Sequence, residues 1–153
     1  MRCLLLSASL PLLLACAAPV AAQSHAHAHP GVDAATAPAP VQRWKTDAPL
    51  REGMGRIRAA VDGLGHYEHG HMGAEQALKL AASIERDIGF IVAHCKLEPR
   101  ADAALHPILG ALMQGALALK ANPAEFATIQ PMRNALQDYA RAFDDPSAEA
   151  SAR

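Results

Sequence analysis

Four stretches of the chain carry apolar residues at spacings of three and four, and proline, glycine or polar residues separate them. The first stretch comprises Leu50, Met54, Ile57, Val61 and Leu64. Similar stretches cover about residues 74–96, 102–120 and 122–143. This spacing places one apolar face along each of four helices. Because short connections make successive helices antiparallel, we predict an all-α fold, an up-down-up-down antiparallel four-helix bundle.

Proline and glycine residues indicate where these helices begin and end. Pro49 fits the first turn of the first helix, where a missing N–H costs nothing. We expect Gly63 and Gly65 to end that helix. Pro131 lies inside the fourth stretch and should kink or split its helix near Ala127.

Composition supports the helical prediction and excludes some functions. Hydrophobic residues make up 51% of the chain and aromatic residues only 4%, which disfavours an all-β fold. A net charge of -1 gives no basic surface for nucleic acid. The common catalytic and haem-attachment motifs are absent from the sequence, so we do not expect an enzyme.

The N-terminal segment is typical of an export signal. Arg2 precedes an apolar run over residues 4–14, and small residues lead to a cleavage site after Ala22. A rival lipoprotein site would place a lipid anchor on Cys16. Either route predicts export to the periplasm, and the mature chain has no apolar run of transmembrane length.

These observations divide the chain into four parts. We expect an export signal peptide over residues 1–22 and a disordered His-, Pro- and Ala-rich linker over residues 23–43. The four-helix bundle should cover residues 44–145, and residues 146–153 should form a disordered tail.

Cys95 is the only one of three cysteines that remains after cleavage at Ala22. It therefore cannot form an internal disulfide in an oxidising compartment. Antiparallel connectivity places Cys95 at the same end of the bundle as Met54 and His106. Thiolate, thioether and imidazole together suit copper, so these three residues are predicted to form the main metal site. The alternatives are ordinary core packing of each side chain, a disulfide between Cys95 and another chain, or a non-covalent haem between Met54 and His106.

A second group of candidate ligands is the histidine-rich segment that follows the first helix. His66, His69 and His71 lie within six residues, and imidazole binds copper and other divalent metals. We predict a weak, exposed metal site here, at the opposite end of the bundle from Cys95.

Two further segments resemble a known family. Residues 44–54 read W-K-T-D-A-P-L-R-E-G-M, and residues 95–106 read C-K-L-E-P-R-A-D-A-A-L-H. They are similar to sequences of the DnrO-like family of small exported proteobacterial helical proteins. The resemblance implies an exported helical bundle, and its two motifs contain Met54, Cys95 and His106.

Two hypotheses follow for the function. The first is a periplasmic copper-binding protein that acts as a buffer, a chaperone or an electron carrier. The second is a bundle without metal that binds another envelope protein or serves a structural role.

Overall fold

The computed structural model describes residues 43–150, which are mostly helical. The four long helices are α1 (Ala48–Glu68), α2 (Ala74–His94), α3 (Pro99–Ala121) and α4 (Ile129–Ala142). A short helix, α5 (Pro146–Ala150), follows them. The predicted signal peptide and all but the last residue of the predicted linker lie outside the described residues.

The helices pack in a bundle-like arrangement around one apolar core. Helix α1 packs against α2 and α4, and α3 packs against the same two helices. The largest fully buried side chains include Leu50, Met54, Ile84, Leu112 and Tyr139. The first four belong to the apolar faces of α1, α2 and α3, and burial of such faces supplies most of the stability of a helical domain.

Two short strands join the ends of the helical region. Strand β1 (Trp44–Lys45) pairs in parallel with β2 (Phe143–Asp144). The Thr46 hydroxyl adds a hydrogen bond of 2.9 Å to the Asp144 carbonyl oxygen. The sequence analysis did not predict this pairing, because two residues are too short for a strand pattern.

Helix α1 begins where the sequence indicates and ends later than expected. Asp47 caps it, since one carboxylate oxygen accepts the Leu50 N–H at 2.9 Å. Gly63 and Gly65 lie within the helix, which continues to Glu68. Isolated glycines cost only about 1 kcal/mol each in a helix, and packing of the buried Tyr67 offsets that cost. The expected end at these two glycines is therefore wrong.

The fourth apolar stretch is divided before Pro131. A 3₁₀ turn covers Phe126–Thr128, and α4 begins at Ile129. Pro131 therefore occupies the first turn of α4, where its missing N–H leaves no helical carbonyl without a donor.

The C-terminal part of the described chain is ordered further than expected. Helix α5 occupies residues that the sequence analysis assigned to a disordered tail. Asp145 is fully buried and accepts a hydrogen bond of 2.9 Å from the Tyr139 hydroxyl. It also accepts the Ser147 N–H at 2.9 Å, which caps the beginning of α5.

Helix α3 is the most apolar of the long helices. Among the described residues it is the one helix long and apolar enough to cross a membrane, and 39% of its apolar window is buried.

A close contact between α3 and α4 gives the first prediction. A Cβ added at Gly115 would lie 2.8 Å from Met132 Sδ and 3.1 Å from the Thr128 carbonyl oxygen, whereas one added at Gly89 meets open space. We expect Gly115→Ala to lower the free energy of unfolding by about 1–3 kcal/mol, because the two elements must move apart. Gly89→Ala should raise it by up to about 1 kcal/mol. Urea unfolding followed by circular dichroism measures both, and equal effects would contradict the close packing.

Candidate functional site

The end of α1 is built so that three histidines lie side by side. Gly70 has a φ of +75°, which glycine adopts readily and other residues rarely do. This turn lets the Gly70 N–H donate to the Tyr67 carbonyl at 3.0 Å and the His71 N–H donate to the His66 carbonyl at 2.8 Å. The pattern is a helix C-terminal cap that turns the chain back over the last turn. It therefore brings His71 towards His66 and His69.

The three imidazole rings are near neighbours. The ring centroid of His71 lies 6.4 Å from that of His66 and 6.5 Å from that of His69. All three residues are exposed to solvent. Within residues 43–150, no group of three or more His, Cys, Asp or Glu side chains is already arranged around a metal position. Binding at this cluster would require the imidazoles to rotate about their side-chain bonds.

The backbone beneath the histidine cluster is anchored to the rest of the fold. The Tyr67 hydroxyl donates to the Pro123 carbonyl at 2.8 Å, and its ring lies 5.1 Å from the ring of Phe126. Glu68 forms an ion pair of 2.6 Å with Arg133 of α4. This segment was expected to follow the end of the first helix, whereas part of it is the last turn of that helix.

The three residues that were predicted to form the main metal site differ in their exposure. Met54 is fully buried in the core, Cys95 is partly buried, and His106 is exposed. Cys95 and His106 line one groove of about 510 Å³ between α2 and α3, and Met54 does not line it. The buried position of Met54 therefore supports neither a shared site with His106 nor an axial haem pair with it.

The groove between α2 and α3 contains two further candidate ligands that the sequence analysis did not assign. These are Asp102 and Met113. His106 Nδ1 lies 2.8 Å from the Asp102 carbonyl oxygen, so Nδ1 carries the proton and Nε2 is the nitrogen that can bind a ligand. Met113 lies seven residues after His106, on the same side of α3. This spacing is visible in the sequence, but it indicates a shared site only because α2 and α3 pack together.

Asp47 connects this groove to the beginning of α1. Its second carboxylate oxygen accepts the Lys96 N–H at 2.6 Å, and its carboxylate also accepts a hydrogen bond from the Cys95 thiol. Burial acts to raise the pKa of Asp47, but the donors from Lys96, Leu50 and Cys95 lower it overall. No local sequence pattern indicates the contact between Asp47 and Lys96, because the two residues lie 49 positions apart.

The thiol of Cys95 is held in its neutral form. Burial, followed by the negative charges of Asp47 and Asp102 and the hydrogen bond to Asp47, raises the pKa of Cys95 from 9.0 to about 11. A metal ion would therefore have to displace a proton from this thiol, and binding would strengthen as the pH rises.

Comparisons of the chain with protein-family models, with curated proteins and with solved structures find no match.

The contact between Asp47 and Cys95 gives the second prediction. Asp47→Asn keeps a good helix cap but removes a negative charge beside the thiol, so the pKa of Cys95 should fall. We expect alkylation of Cys95 by iodoacetamide near pH 8 to become at least about threefold faster, since the thiolate is the nucleophile.

Asp102→Asn is the matched control for this experiment. Asp102 acts on Cys95 through charge alone and more weakly than Asp47, so its replacement should give a smaller acceleration. An unchanged alkylation rate in Asp47→Asn, with unchanged circular dichroism, would contradict the assigned contact.

Proposed function

We propose that this chain is an exported copper-binding protein that captures copper ions through the imidazoles of His66, His69 and His71. The observation that carries the proposal is the position of His71, whose ring centroid lies within 6.5 Å of both other rings. Two imidazoles that share one metal ion at about 2.0 Å from each nitrogen have centroids about 5–6 Å apart. Rotations of the histidine side chains alone can therefore bring the rings to the separation that a shared metal ion requires.

The chemistry of this cluster favours copper. Imidazole is a ligand for copper, zinc, nickel and iron, and Cu(II) is bound most tightly of the divalent first-row metals by a given set of nitrogen ligands. The cluster is open to solvent, which suits capture and release of an ion. We therefore favour the role of a buffer or chaperone over that of an electron carrier.

A second copper site is proposed in the groove between α2 and α3. Cys95 and His106 both line this groove, and His106 Nδ1 is already bonded to a carbonyl oxygen. Sulfur ligands select Cu(I). Met113 replaces Met54 as the proposed thioether ligand, because Met113 lines the groove and Met54 does not.

We also propose the antiparallel, up-down-up-down arrangement of the four long helices. Its support is the set of polar contacts between helix ends. Asp47, which caps the beginning of α1, bonds to Lys96 just beyond the end of α2. Glu68 at the end of α1 pairs with Arg133 in the first turns of α4.

The periplasm is the cellular location that we propose for this chain. The sequence features of residues 1–22 support export to the periplasm, with a lipid anchor on Cys16 as the alternative route. A metal-free interaction module of the envelope is the alternative function, and the copper titrations below distinguish the two.

The third prediction tests the histidine cluster. The experiment uses untagged protein in which His25, His27 and His29 are replaced by Ala, so that they do not bind copper themselves. We expect His71→Ala in this background to lose one Cu(II) equivalent in calorimetric titration at pH 7.5, because His71 is the ring that neighbours both others. Stability should change by no more than about 0.5 kcal/mol, as for other exposed positions.

His94→Ala is the matched control for the histidine cluster. His94 is also an exposed histidine, in the last turn of α2, but its ring stacks on Phe90 instead of lying beside another histidine. Its replacement should leave copper binding unchanged. Equal stoichiometry in the His71→Ala and His94→Ala proteins would refute the proposed site. Acidification should weaken binding, because a proton and a metal ion compete for the same imidazole nitrogen.

The fourth prediction tests the groove site with Cu(I) under reducing conditions. Cys95→Ala should abolish competition with a Cu(I) chelator, since the thiolate is the strongest ligand available there. Met113→Leu should weaken Cu(I) binding, whereas Met54→Leu should not. Both leucine replacements conserve volume and should cost under about 1.5 kcal/mol of stability. A Cys95→Ala protein that still holds one tight Cu(I) ion would return Cys95 to a purely structural role.

A further inference from the structure

One face of α3 points away from the other helices and carries no charge. Its residues recur at alternating spacings of four and three, which is the spacing of a seam between two helices. They are Ala103, Pro107, Gly110, Gln114, Leu117 and Ala121. Gly110 is partly buried and the others are exposed, with Leu117 exposed to 50%. We refer to these six residues as the outer seam of α3.

The outer seam is bordered on each side by a groove that is lined mainly by apolar residues, with Asp102 and His106 in one groove and Asp138 and Arg141 in the other. The groove towards α2 has a volume of about 510 Å³, and the groove towards α4 has a volume of about 580 Å³. Val92 of α2, beside the first groove, is 73% exposed. Within α3, no charged residue stands between Asp102 and Lys120. A ridge between two grooves is the shape that packs against another helix.

We propose that a second copy of this chain docks on the outer seam, with the two α3 helices antiparallel and centred on Leu112. The spacing of the seam reads the same in both directions about Leu112, so an antiparallel pair brings seam residues of one copy opposite seam residues of the other. Leu117 then faces Pro107 of the second copy, and Gly110 faces Gln114. A two-fold symmetric dimer requires this kind of self-complementary surface.

The charges at the two ends of the seam favour this orientation. In the antiparallel pair, Lys120 of the second copy lies opposite Ala104, two residues and about 3 Å along the axis from Asp102. Asp102 is 57% exposed and Lys120 is 41% exposed. Lys120 also pairs with Glu85 of its own chain at 2.9 Å, and an ammonium with three N–H donors can bond to a second carboxylate as well. A parallel pair would instead place Asp102 beside Asp102 and Lys120 beside Lys120, which repels.

A backbone carbonyl oxygen offers a second hydrogen-bond acceptor to Lys120 of the second copy. Pro107 stands inside α3 and has no N–H, so the carbonyl oxygen of Ala103 lacks its helical donor. Lys120 of the second copy lies opposite the neighbouring residue, Ala104, and can donate to that oxygen. Docking therefore gives this carbonyl oxygen a hydrogen-bond donor in place of the water that it loses at the interface.

The centre of the seam offers a substitution that tests the proposal without disturbing the monomer. A side chain added at Gly110 or at Gly55 meets open space, and glutamate favours helix more than glycine does. In the dimer, Gly110→Glu would bury two like charges close to the symmetry axis. Gly55→Glu is the matched control, because α1 packs against α2 and α4 rather than against α3.

The experiment is sedimentation velocity of the purified protein over a range of concentrations, without added metal. We expect the parent protein and Gly55→Glu to form dimers, and Gly110→Glu to raise the dissociation constant at least about tenfold. Circular dichroism should show the same helical content in all three proteins.

Charge exchange tests the orientation of the pair. Asp102→Lys leaves the pair of Lys120 with Glu85 in place and should weaken the dimer, and combination with Lys120→Glu should restore it. A parent protein that stays monomeric, or a Gly110→Glu protein that associates as strongly as Gly55→Glu, would overturn the proposal. A monomeric parent protein that binds phosphatidylglycerol vesicles, with binding lost in Gly110→Glu, would also overturn the proposal. The seam would then contact lipid instead of a second copy.

Discussion

The carboxylate of Asp47 is the interaction on which much of this fold depends. One oxygen accepts the Leu50 N–H and so starts α1, and the other accepts the Lys96 N–H just beyond the end of α2. A charged acceptor shared by two helix ends is worth more than either bond alone, because neither donor has another partner within its own helix. The same carboxylate holds the Cys95 thiol. The only cysteine among the described residues is therefore tied to the geometry of the two helices that pack most extensively on each other.

The existence of the long helices could be predicted from the sequence, and several of their ends could not. Apolar residues at helical spacing depend only on local sequence, so the faces of α1, α2 and α3 were found without knowledge of their partners. The end of α1 depended on the packing of Tyr67 under Pro123 and on the left-handed Gly70. These features outweigh the two glycines that suggested an earlier end. The pairing of β1 with β2 joins residues nearly one hundred positions apart, and no local pattern encodes it.

The candidate sites likewise combine residues that are close in sequence with residues that only the packing of the helices brings together. His66, His69 and His71 are close in sequence, and the cap at the end of α1 brings their rings together. Cys95 and His106 both line the groove between α2 and α3, and the short connection between these two helices is a local feature of the sequence. Met54 was assigned to the same site from the ligand preference of copper, from its place on the apolar face of α1 and from its height, which is its distance along α1 from that end of the bundle. Height does not fix direction around a helix axis, and the Met54 side chain belongs to the core, while Met113 reaches the groove.

The position of Trp44 makes one part of this fold separately observable. Trp44 is the only tryptophan in the chain, and it lies in β1, opposite Phe143 of β2. Its fluorescence therefore reports the joint between the two ends of the helical region, while circular dichroism reports the helices themselves. Regions with few buried contacts can open at a lower free energy than the whole domain. A tryptophan transition that precedes the loss of helix would reveal such a local opening, and coincident transitions would show one cooperative unit.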